Sequence, residues 1–319
     1  MFFKICLFVI LSLFAENVFI NCQRLKIPKH LSLKQLLTRQ EAKRSKDFIE
    51  SGLGKNRQMR VVGGFADEYN IHKYSVSIQR RRDATSVFKH RCSGTIIGDY
   101  HILTAAHCFV SRESQLRRIS DMRVFVGSNR LDTPGRYVSI RYIIIKKRFS
   151  YDPWNNDIAV ITLEESLSVD NDLFLEKMAL PEPTELLLEN ETGYVAGFGV
   201  YKYQQHQDEA TGMVIERPVF PIIRHVINVK VVDCKKRNPK FICVGSMDEN
   251  MNTRQHIADG DSGGPLVVGN AVVGVVGVSD KKAKLSVRPA FMTRVSYFLN
   301  FIKEAMSTRY SHYVGIRFL

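Results

Sequence analysis

The segment Asp259–Pro265, Asp-Gly-Asp-Ser-Gly-Gly-Pro, places Ser262 directly after an acidic residue and between glycines. Glycine permits sharp turns and lets backbone N–H groups approach a reacting carbonyl closely. A serine hydroxyl is a poor nucleophile until a neighbouring base takes its proton. The segment therefore predicts that a histidine, and a group that orients it, lie elsewhere in the chain.

Two upstream segments contain residues of these types. His107 lies in Leu-Thr-Ala-Ala-His-Cys, and Asp157 lies in Asn-Asn-Asp-Ile-Ala-Val. An imidazole titrates near neutral pH, so it can take a serine proton and return it to a leaving amine. A buried carboxylate fixes the tautomer of such an imidazole. Taken singly, these residues suit a glycine-rich turn, a core histidine and a cap at the start of a strand; together with Ser262 they favour nucleophilic catalysis.

These segments, with Arg60-Val-Val-Gly-Gly, resemble the trypsin/chymotrypsin family of serine endopeptidases over residues 61–306. The resemblance implies an all-β fold of two six-stranded antiparallel β-barrels with a C-terminal helix. It implies that Ser262 is the nucleophile, His107 the general base and Asp157 the orienting group. Gly260 and Ser262 would supply the two N–H groups of the oxyanion hole. Runs rich in valine, isoleucine and tyrosine, separated by turn residues, suit this fold.

The order of the residues excludes another fold with a similar serine segment. Gly260-x-Ser262-x-Gly264 also fits the nucleophile elbow of α/β-hydrolases, in which the order is serine, acid, histidine. Here the order is histidine, aspartate, serine, and the only histidine after Ser262 is His312, near the terminus.

Residues 1–22 are predicted to be a secretory signal peptide. Lys4 supplies a positive charge, and the apolar run Ile5–Ala15 is too short to span a bilayer as a helix. A membrane anchor is the alternative interpretation of this segment. The prediction is a secreted, extracellular protein without a membrane span.

Residues 23–60 are predicted to be a basic propeptide and linker. They hold 11 Lys/Arg and 3 Asp/Glu, whereas residues 61–319, the predicted protease domain, hold 34 and 28. The resemblance implies that a protease cutting after Arg60 frees the amine of Val61, which then pairs with Asp261. An uncut basic linker is the alternative.

The cysteines indicate disulfides rather than a zinc site. The chain has six cysteines, of which four lie in residues 61–319 without the C-x-x-C spacing typical of zinc ligands. An even set of this kind suggests two disulfides in an oxidising compartment. The resemblance implies the pairs Cys92–Cys108 and Cys234–Cys243.

No metal ion and no cofactor are predicted. Residues 111–140 contain only Glu113, Asp121 and Asp132 as acids, which form no clear set of converging oxygens for calcium. Asn190-Glu-Thr is a sequon for N-glycosylation.

The specificity pocket departs from the pattern of the family. Where trypsin-like members have an aspartate that pairs with lysine or arginine, six residues before the nucleophile, this chain has His256. The segment that lies beside the substrate usually reads Ser-Trp-Gly in the family, but here it reads Gly277-Val278-Ser279. Ala290 replaces a common glycine. Ala258 replaces a cysteine that staples the pocket in many members. We therefore do not predict trypsin-like specificity.

Two other functions remain open at this stage. A non-catalytic homologue that acts as a binding or regulatory module is the main alternative, because the pocket is altered, although the complete triad argues against it. A polyanion binder rests only on the net charge of +14, and no nucleic-acid motif accompanies that charge. The predicted partners are a protein or peptide substrate, the activating protease and protein inhibitors.

Overall fold

A computed structural model of the chain describes residues 64–183, 187, 189–207, 213–234, 238–247, 257–277, 289–309 and 315–319. The predicted signal peptide and propeptide lie outside the described residues, as do Val61, His256 and Ser279. Where it is described, the chain is mostly β-strand, with one α-helix near the C-terminus.

The described part of the chain contains nineteen strands, four 3₁₀ helices and one α-helix. The strands of the N-terminal half are β1 (Phe65–Ala66), β2 (Ser75–Arg80), β3 (Lys89–Gly98), β4 (His101–Thr104), β5 (Met122–Val126), β6 (Arg136–Val138), β7 (Ile140–Ile145), β8 (Ser150–Tyr151), β9 (Trp154–Asn155) and β10 (Ala159–Leu163). Those of the C-terminal half are β11 (Thr192–Gly197), β12 (Lys202–Gln207), β13 (Val214–Val219), β14 (His225–Val232), β15 (Phe241–Ser246), β16 (Pro265–Val268), β17 (Ala271–Val276), β18 (Ala290–Arg294) and β19 (Gly315–Phe318). The helices are the 3₁₀ helices Ala106–Cys108, Ile119–Asp121, Val169–Asn171 and Ser296–Phe298, and the α-helix α1 (Leu299–Ser307).

The first sheet has eight strands in the order β19-β7-β10-β4-β3-β2-β5-β6. Its pairs are antiparallel except that β19 runs parallel to β7. Branched aliphatic side chains such as Ile78, Ile96 and Ile143 are fully buried inside it, as expected for residues that pack well on a pleated surface. Because its order is linear, this sheet forms a half-barrel.

The second sheet closes on itself. Its order is β1-β14-β11-β16-β17-β18-β15, and a further pairing of β14 with β15 completes a ring of six strands. Val195, Ile227, Leu266 and Met292 belong to its core. The predicted all-β, two-barrel architecture is thus confirmed, with one barrel closed and the other open.

The predicted C-terminal helix is also confirmed. A 3₁₀ turn at Ser296–Phe298 leads into α1, which buries Leu299, Phe301 and Ile302 on one face. Apolar residues at this spacing form the stripe by which a surface helix packs on a core. None of the helices in the described part of the chain is long and apolar enough to cross a membrane.

Both predicted disulfides are present. Cys92 is bonded to Cys108 with an S–S distance of 2.08 Å, and Cys234 is bonded to Cys243 at 2.18 Å. The first joins β3 to the 3₁₀ turn that carries His107, and the second joins the chain after β14 to β15. Asn190 is exposed in the turn before β11, where a sequon would be accessible.

Candidate active site

The turn that carries Ser262 lies between the two sheets. The carbonyl of Ser262 accepts a hydrogen bond from the N–H of Ser93 in β3 at 2.8 Å, and the N–H of Gly263 donates to Val276 at the end of β17 at 2.7 Å. Gly260 and Gly263 have φ angles of +101° and +79°, a region that suits glycine. A Cβ atom at Gly263 would also collide with the hydroxyl of Thr104. Glycine is therefore required at the position after the serine for two independent reasons.

His107 and Asp157 form a two-point contact. The Nδ1 atom of His107 lies 2.8 Å from Oδ2 of Asp157, and the His107 backbone N–H donates to Oδ1 at 2.9 Å. Because an ionised carboxylate only accepts hydrogen bonds, Nδ1 carries the proton and Nε2 of the neutral ring is left as the acceptor. The Asp157 side chain is 3% exposed and that of His107 is 16% exposed. The carboxylate thus orients an imidazole whose other edge faces the more open side.

Several elements fix these two residues. The Cys92–Cys108 disulfide holds the turn of His107, and the Trp154 ring packs edge-on against the imidazole with centroids 5.7 Å apart. Thr293 in β18 donates its hydroxyl to the Asp157 carbonyl at 2.9 Å. Strand β18 belongs to the closed barrel, so both sheets contribute to the position of the aspartate.

The backbone around Gly260 presents two N–H groups. The carbonyl of Asp259 accepts from the Val200 N–H at 2.8 Å. Since C=O and N–H point in opposite directions across a trans peptide, the Gly260 N–H points away from Val200. Within the described ranges, no residue accepts a hydrogen bond from the N–H of Gly260 or of Ser262. These are the two donors predicted for the oxyanion hole.

Asp261 is buried and held by backbone N–H groups. Its Oδ1 accepts from Gly199 at 2.9 Å and its Oδ2 from Ala258 at 3.0 Å. A Cβ atom at Gly199 would collide with this carboxylate, so the glycine allows the close approach. Burial raises the pKa of Asp261 to about 6, although the two N–H groups oppose the shift. The site therefore accommodates a carboxylate that would be stabilised by a cation.

His90 of β3 connects the half-barrel to this turn. Its Nε2 lies 2.9 Å from the Gly260 carbonyl, and its Nδ1 lies 2.8 Å from the Ser77 hydroxyl. Burial lowers its pKa to about 4, so the ring is neutral at physiological pH. The Gly260 carbonyl also accepts from the Ser93 hydroxyl at 3.1 Å. These contacts fix the carbonyl side of Gly260.

Three of the residues expected at the specificity pocket, all of them small, lie in the described part of the chain. Gly277 follows β17 directly, and a Cβ atom built on it would lie 3.6 Å from Oδ2 of Asp157. Ala258 is buried, and Ala290 pairs with Val244 across β15 and β18. Because His256 and Ser279 lie outside the described residues, the expectations for the pocket base and for the outer end of the substrate segment stay predictions.

Sequence reasoning missed Trp154, Thr293 and Lys240. The Lys240 ammonium, just before β15, donates to the side-chain oxygens of Asn155 at 2.6 Å and Asn156 at 3.0 Å, the two residues before Asp157. No local motif indicates such contacts, because the partners are far apart in sequence and meet only when the two sheets pack. The sulfurs of Cys92 and Cys108 also lie near His107, but a disulfide removes the thiolates that a metal would require.

The chain is similar in sequence to known proteins. The family model described as Trypsin matches residues 61–302. Transmembrane protease serine 11C of Mus musculus is 29% identical over 262 residues, which cover 77% of this chain. The chain spans only 54% of the length of that relative. Trypsin theta of Drosophila melanogaster is 26% identical over 229 residues, covering 72% of this chain and 79% of the relative.

Solved structures support the fold. Human heparin binding protein superimposes with a TM-score of 0.62 at 21% sequence identity, covering 79% of this chain and 99% of that one. At this identity the likeness concerns the arrangement of the strands, and the chemistry of the site is argued from the residues themselves.

Proposed function

The chain belongs to the trypsin family of serine proteases, and we propose that it is a secreted endopeptidase made as an inactive precursor. Its substrate is a protein or peptide, and cleavage between Arg60 and Val61 activates it. The observation that carries the proposal is the two-point contact of His107 with Asp157, beside a turn whose Gly260 and Ser262 N–H groups donate to no other described residue.

In the proposed mechanism, Ser262 Oγ attacks the carbonyl carbon of the scissile bond while Nε2 of His107 takes its proton. Asp157 keeps the Nδ1 proton in place and stabilises the imidazolium. The N–H groups of Gly260 and Ser262 donate to the developing oxyanion. His107 then protonates the leaving amine, and water releases the acyl group by the same steps in reverse.

The environment of Asp261 supports activation by cleavage. Its pKa of about 6 lies above the ordinary value, so ionising this carboxyl in the folded precursor is unfavourable relative to the unfolded chain. The penalty grows as pH rises from about 4 to about 6 and is then constant. The Val61 ammonium, freed by cleavage after Arg60, would remove the penalty by pairing with the carboxylate. Because Asp261 lies between Gly260 and Ser262, this pairing would stabilise the oxyanion donors.

The proposed specificity is not that of trypsin. His256 at the pocket base offers no permanent negative charge for a lysine or arginine side chain. Gly277 and Ala290 line the expected pocket walls, and Ser279 ends the segment along which a substrate would pair as an added strand. The two disulfides support an extracellular location, where such bonds persist.

Labelling with a fluorophosphonate probe tests this function. We expect the protein to be labelled only after cleavage at Arg60, and Ser262→Ala to abolish labelling of the cleaved form. Circular dichroism of each sample controls for folding. If the cleaved, folded protein is not labelled, the catalytic function is wrong and a non-catalytic binding role takes its place.

A further inference from the structure

Lys240 brings a cation of the closed barrel to the segment that precedes Asp157. Its ammonium group donates hydrogen bonds to Oδ1 of Asn155 at 2.6 Å and to Oδ1 of Asn156 at 3.0 Å. Lys240 lies immediately before β15 of the closed barrel, whereas the two asparagines belong to the connection between β7 and β10 of the half-barrel. These hydrogen bonds therefore join the two barrels directly beside the candidate catalytic aspartate.

The closed barrel holds Lys240 in place. Its carbonyl accepts a hydrogen bond from the Arg294 N–H in β18 at 2.8 Å. Its Nζ atom lies 5.8 Å from the centroid of the Tyr297 ring, within the range of a cation–π interaction. Thr293, the residue before Arg294, donates its hydroxyl to the Asp157 carbonyl. The same edge of the closed barrel thus holds both the aspartate and the two residues before it.

Asn156 has a backbone conformation that its surroundings must maintain. Its φ angle is +54°, in the left-handed region that residues other than glycine seldom adopt, although asparagine tolerates it better than most. The residue is buried, and its Nδ2 atom donates to the Lys147 carbonyl at 2.8 Å. Its amide group is therefore bound by Lys147 on one side and by Lys240 on the other. A conformation of this kind persists where the surrounding contacts over-determine it.

The chemistry of an ammonium group suits this contact. It has three N–H donors and no acceptor, so it binds two amide oxygens at once. Hydrogen bonds from a charged donor are shorter and stronger than those between neutral groups. Among the ion pairs of the described ranges, none includes Lys240. The two asparagine side chains, rather than an acid, thus take up its donors.

The conformation of Asn156 determines where the Asp157 carboxylate points. The two residues share a peptide bond, and the Ile158 N–H donates across the aspartate to the Asn156 carbonyl at 2.9 Å. The two oxygens of Asp157 bind the ring and the backbone N–H of His107 at 2.8 and 2.9 Å. A change in the backbone angles of Asn156 would move both oxygens relative to the imidazole. Small displacements of catalytic groups have large effects on rate.

We propose that Lys240 is a positioning residue, which keeps the Asp157 carboxylate aligned with His107 through Asn155 and Asn156. This inference rests on the proposed peptidase function and adds to it a dependence of the catalytic geometry on one cation of the other barrel. Lys240 contacts the residues before the aspartate and not the aspartate side chain. Its removal should therefore lower the rate of the chemical step and leave substrate binding unaffected.

The first test measures hydrolysis of a library-selected peptide by protein cleaved at Arg60. We expect Lys240→Met to lower kcat about tenfold while KM stays within about twofold of the unaltered enzyme. Lys240→Arg keeps the charge and the donors and should recover most of the lost kcat. The matched control is Lys303→Met, the same change at an exposed lysine of α1, which should leave both constants unchanged. Circular dichroism shows that each sample is folded.

A double-mutant cycle tests the route through the asparagine. Asn156→Gly removes the amide group but allows the positive φ angle without strain. If Lys240 acts through this side chain, Lys240→Met should lower kcat less in the Asn156→Gly protein than in the unaltered one. Equal losses in the two backgrounds would contradict this route.

The second test needs no catalytic activity. In Ser262→Ala protein cleaved at Arg60, the low-field proton NMR signal of the His107 Nδ1–H reports on the hydrogen bond to Asp157. We expect Lys240→Met to make this proton exchange with solvent about tenfold faster, or to lose its signal, because the carboxylate is less firmly held. Lys240→Arg and Lys303→Met should keep the exchange rate of the Ser262→Ala protein.

The outcomes separate the two proposals. If no library peptide is cleaved but Lys240→Met still accelerates the exchange, the peptidase function fails while the positioning role stands. Unchanged kcat in Lys240→Met, or an equal loss in Lys303→Met, would overturn the inference. So would a loss of kcat that Lys240→Arg does not recover and that leaves the Nδ1–H exchange unchanged, since Lys240 would then have a purely structural role.

Discussion

The resemblance predicts that Gly277 stands where the family usually has a serine whose hydroxyl supports the aspartate, here Asp157. The Asp157 carboxylate here accepts from His107 alone among the hydrogen bonds within the described chain. A side chain at position 277 would point toward Oδ2, since a Cβ atom would lie 3.6 Å from it. The same Cβ atom would lie 3.2 Å from the carbonyl of Phe291, which is a tight contact. A substitution there has one favourable and one unfavourable consequence.

Comparing Gly277→Ser with Gly277→Ala separates these two effects. Both variants add the crowded Cβ atom, but only serine adds a hydroxyl that can donate to Asp157. A hydrogen bond to a charged group contributes about 1.5 kcal/mol or more, so kcat/KM of the serine variant should exceed that of the alanine variant about tenfold. Steady-state kinetics on one peptide provides the measurement. Equal rates would mean that Asp157 gains nothing from a further donor.

The sequence alone points to Ser262, His107 and Asp157 as candidate catalytic residues because each lies in a short, specific segment. Ser262 needs glycines on both sides, and the positive φ angles of Gly260 and Gly263 explain why those residues are there. Lys240 could not be found in this way. Its bonds to Asn155 and Asn156 join residues 85 and 84 positions apart, and a lysine before a strand is ordinarily solvated.

Strand β19 is one that the sequence did not indicate. Its four residues, Gly-Ile-Arg-Phe, carry no turn signal and no clear alternation, and its partner β7 lies about 170 residues earlier in the chain. By contrast, β5 (Met122–Val126) has a local signal, because a run that contains valine and phenylalanine ends at Gly127. Pairing between distant strands depends on tertiary packing, which local patterns do not encode.

Strand β19 pairs with β7 and so covers that edge of the first sheet. The chain continues from β7 to Asp157. The Lys147 N–H donates to the Leu319 carbonyl at 2.6 Å, and the Leu319 N–H donates to Ile145 at 2.9 Å. An uncovered edge strand presents unpaired backbone groups and a surface for aggregation. The C-terminal residues therefore stabilise β7 and the start of the connection to β8, which continues to the aspartate.

Deletion of residues 315–319 tests this role. We expect the melting temperature to fall by roughly 3–6 °C, since about 1–2 kcal/mol of pairing and burial is lost. We also expect a lower kcat, because the chain that leads to Asp157 loses one of its supports. Phe318→Ala, which truncates an exposed side chain but keeps the strand, is the control for calorimetry and kinetics. An unchanged melting temperature would show that β19 contributes nothing to the edge.

One buried ion pair connects residues 65–72 to both sheets. Arg224, before β14, donates to Oδ2 of Asp67 at 2.8 and 3.0 Å and to the Ser75 carbonyl at the start of β2 at 2.8 Å. Its own backbone N–H donates to Asn129, after β5, at 2.7 Å. Both side chains are 1% exposed. The pair therefore ties the half-barrel, the closed barrel and residues 65–72 together.

The energetics of a buried ion pair predict an asymmetric response to mutation. Removing one partner leaves a charge buried without its counter-ion, so Asp67→Leu should lower the free energy of unfolding by about 3–5 kcal/mol. Asp67→Leu/Arg224→Met removes both charges and should be less destabilised than the single variant, although it also loses the bond to Ser75. Urea denaturation of the Ser262→Ala protein, which avoids self-cleavage, measures these differences. If the loss of unfolding free energy in the double variant equalled the summed losses of Asp67→Leu and Arg224→Met, the two charges would act independently. The pair would then not be the connection between the sheets. If it recovers stability relative to Asp67→Leu, the cost of the single variant comes from burying Arg224 without its counter-ion, and the ion pair couples the two barrels.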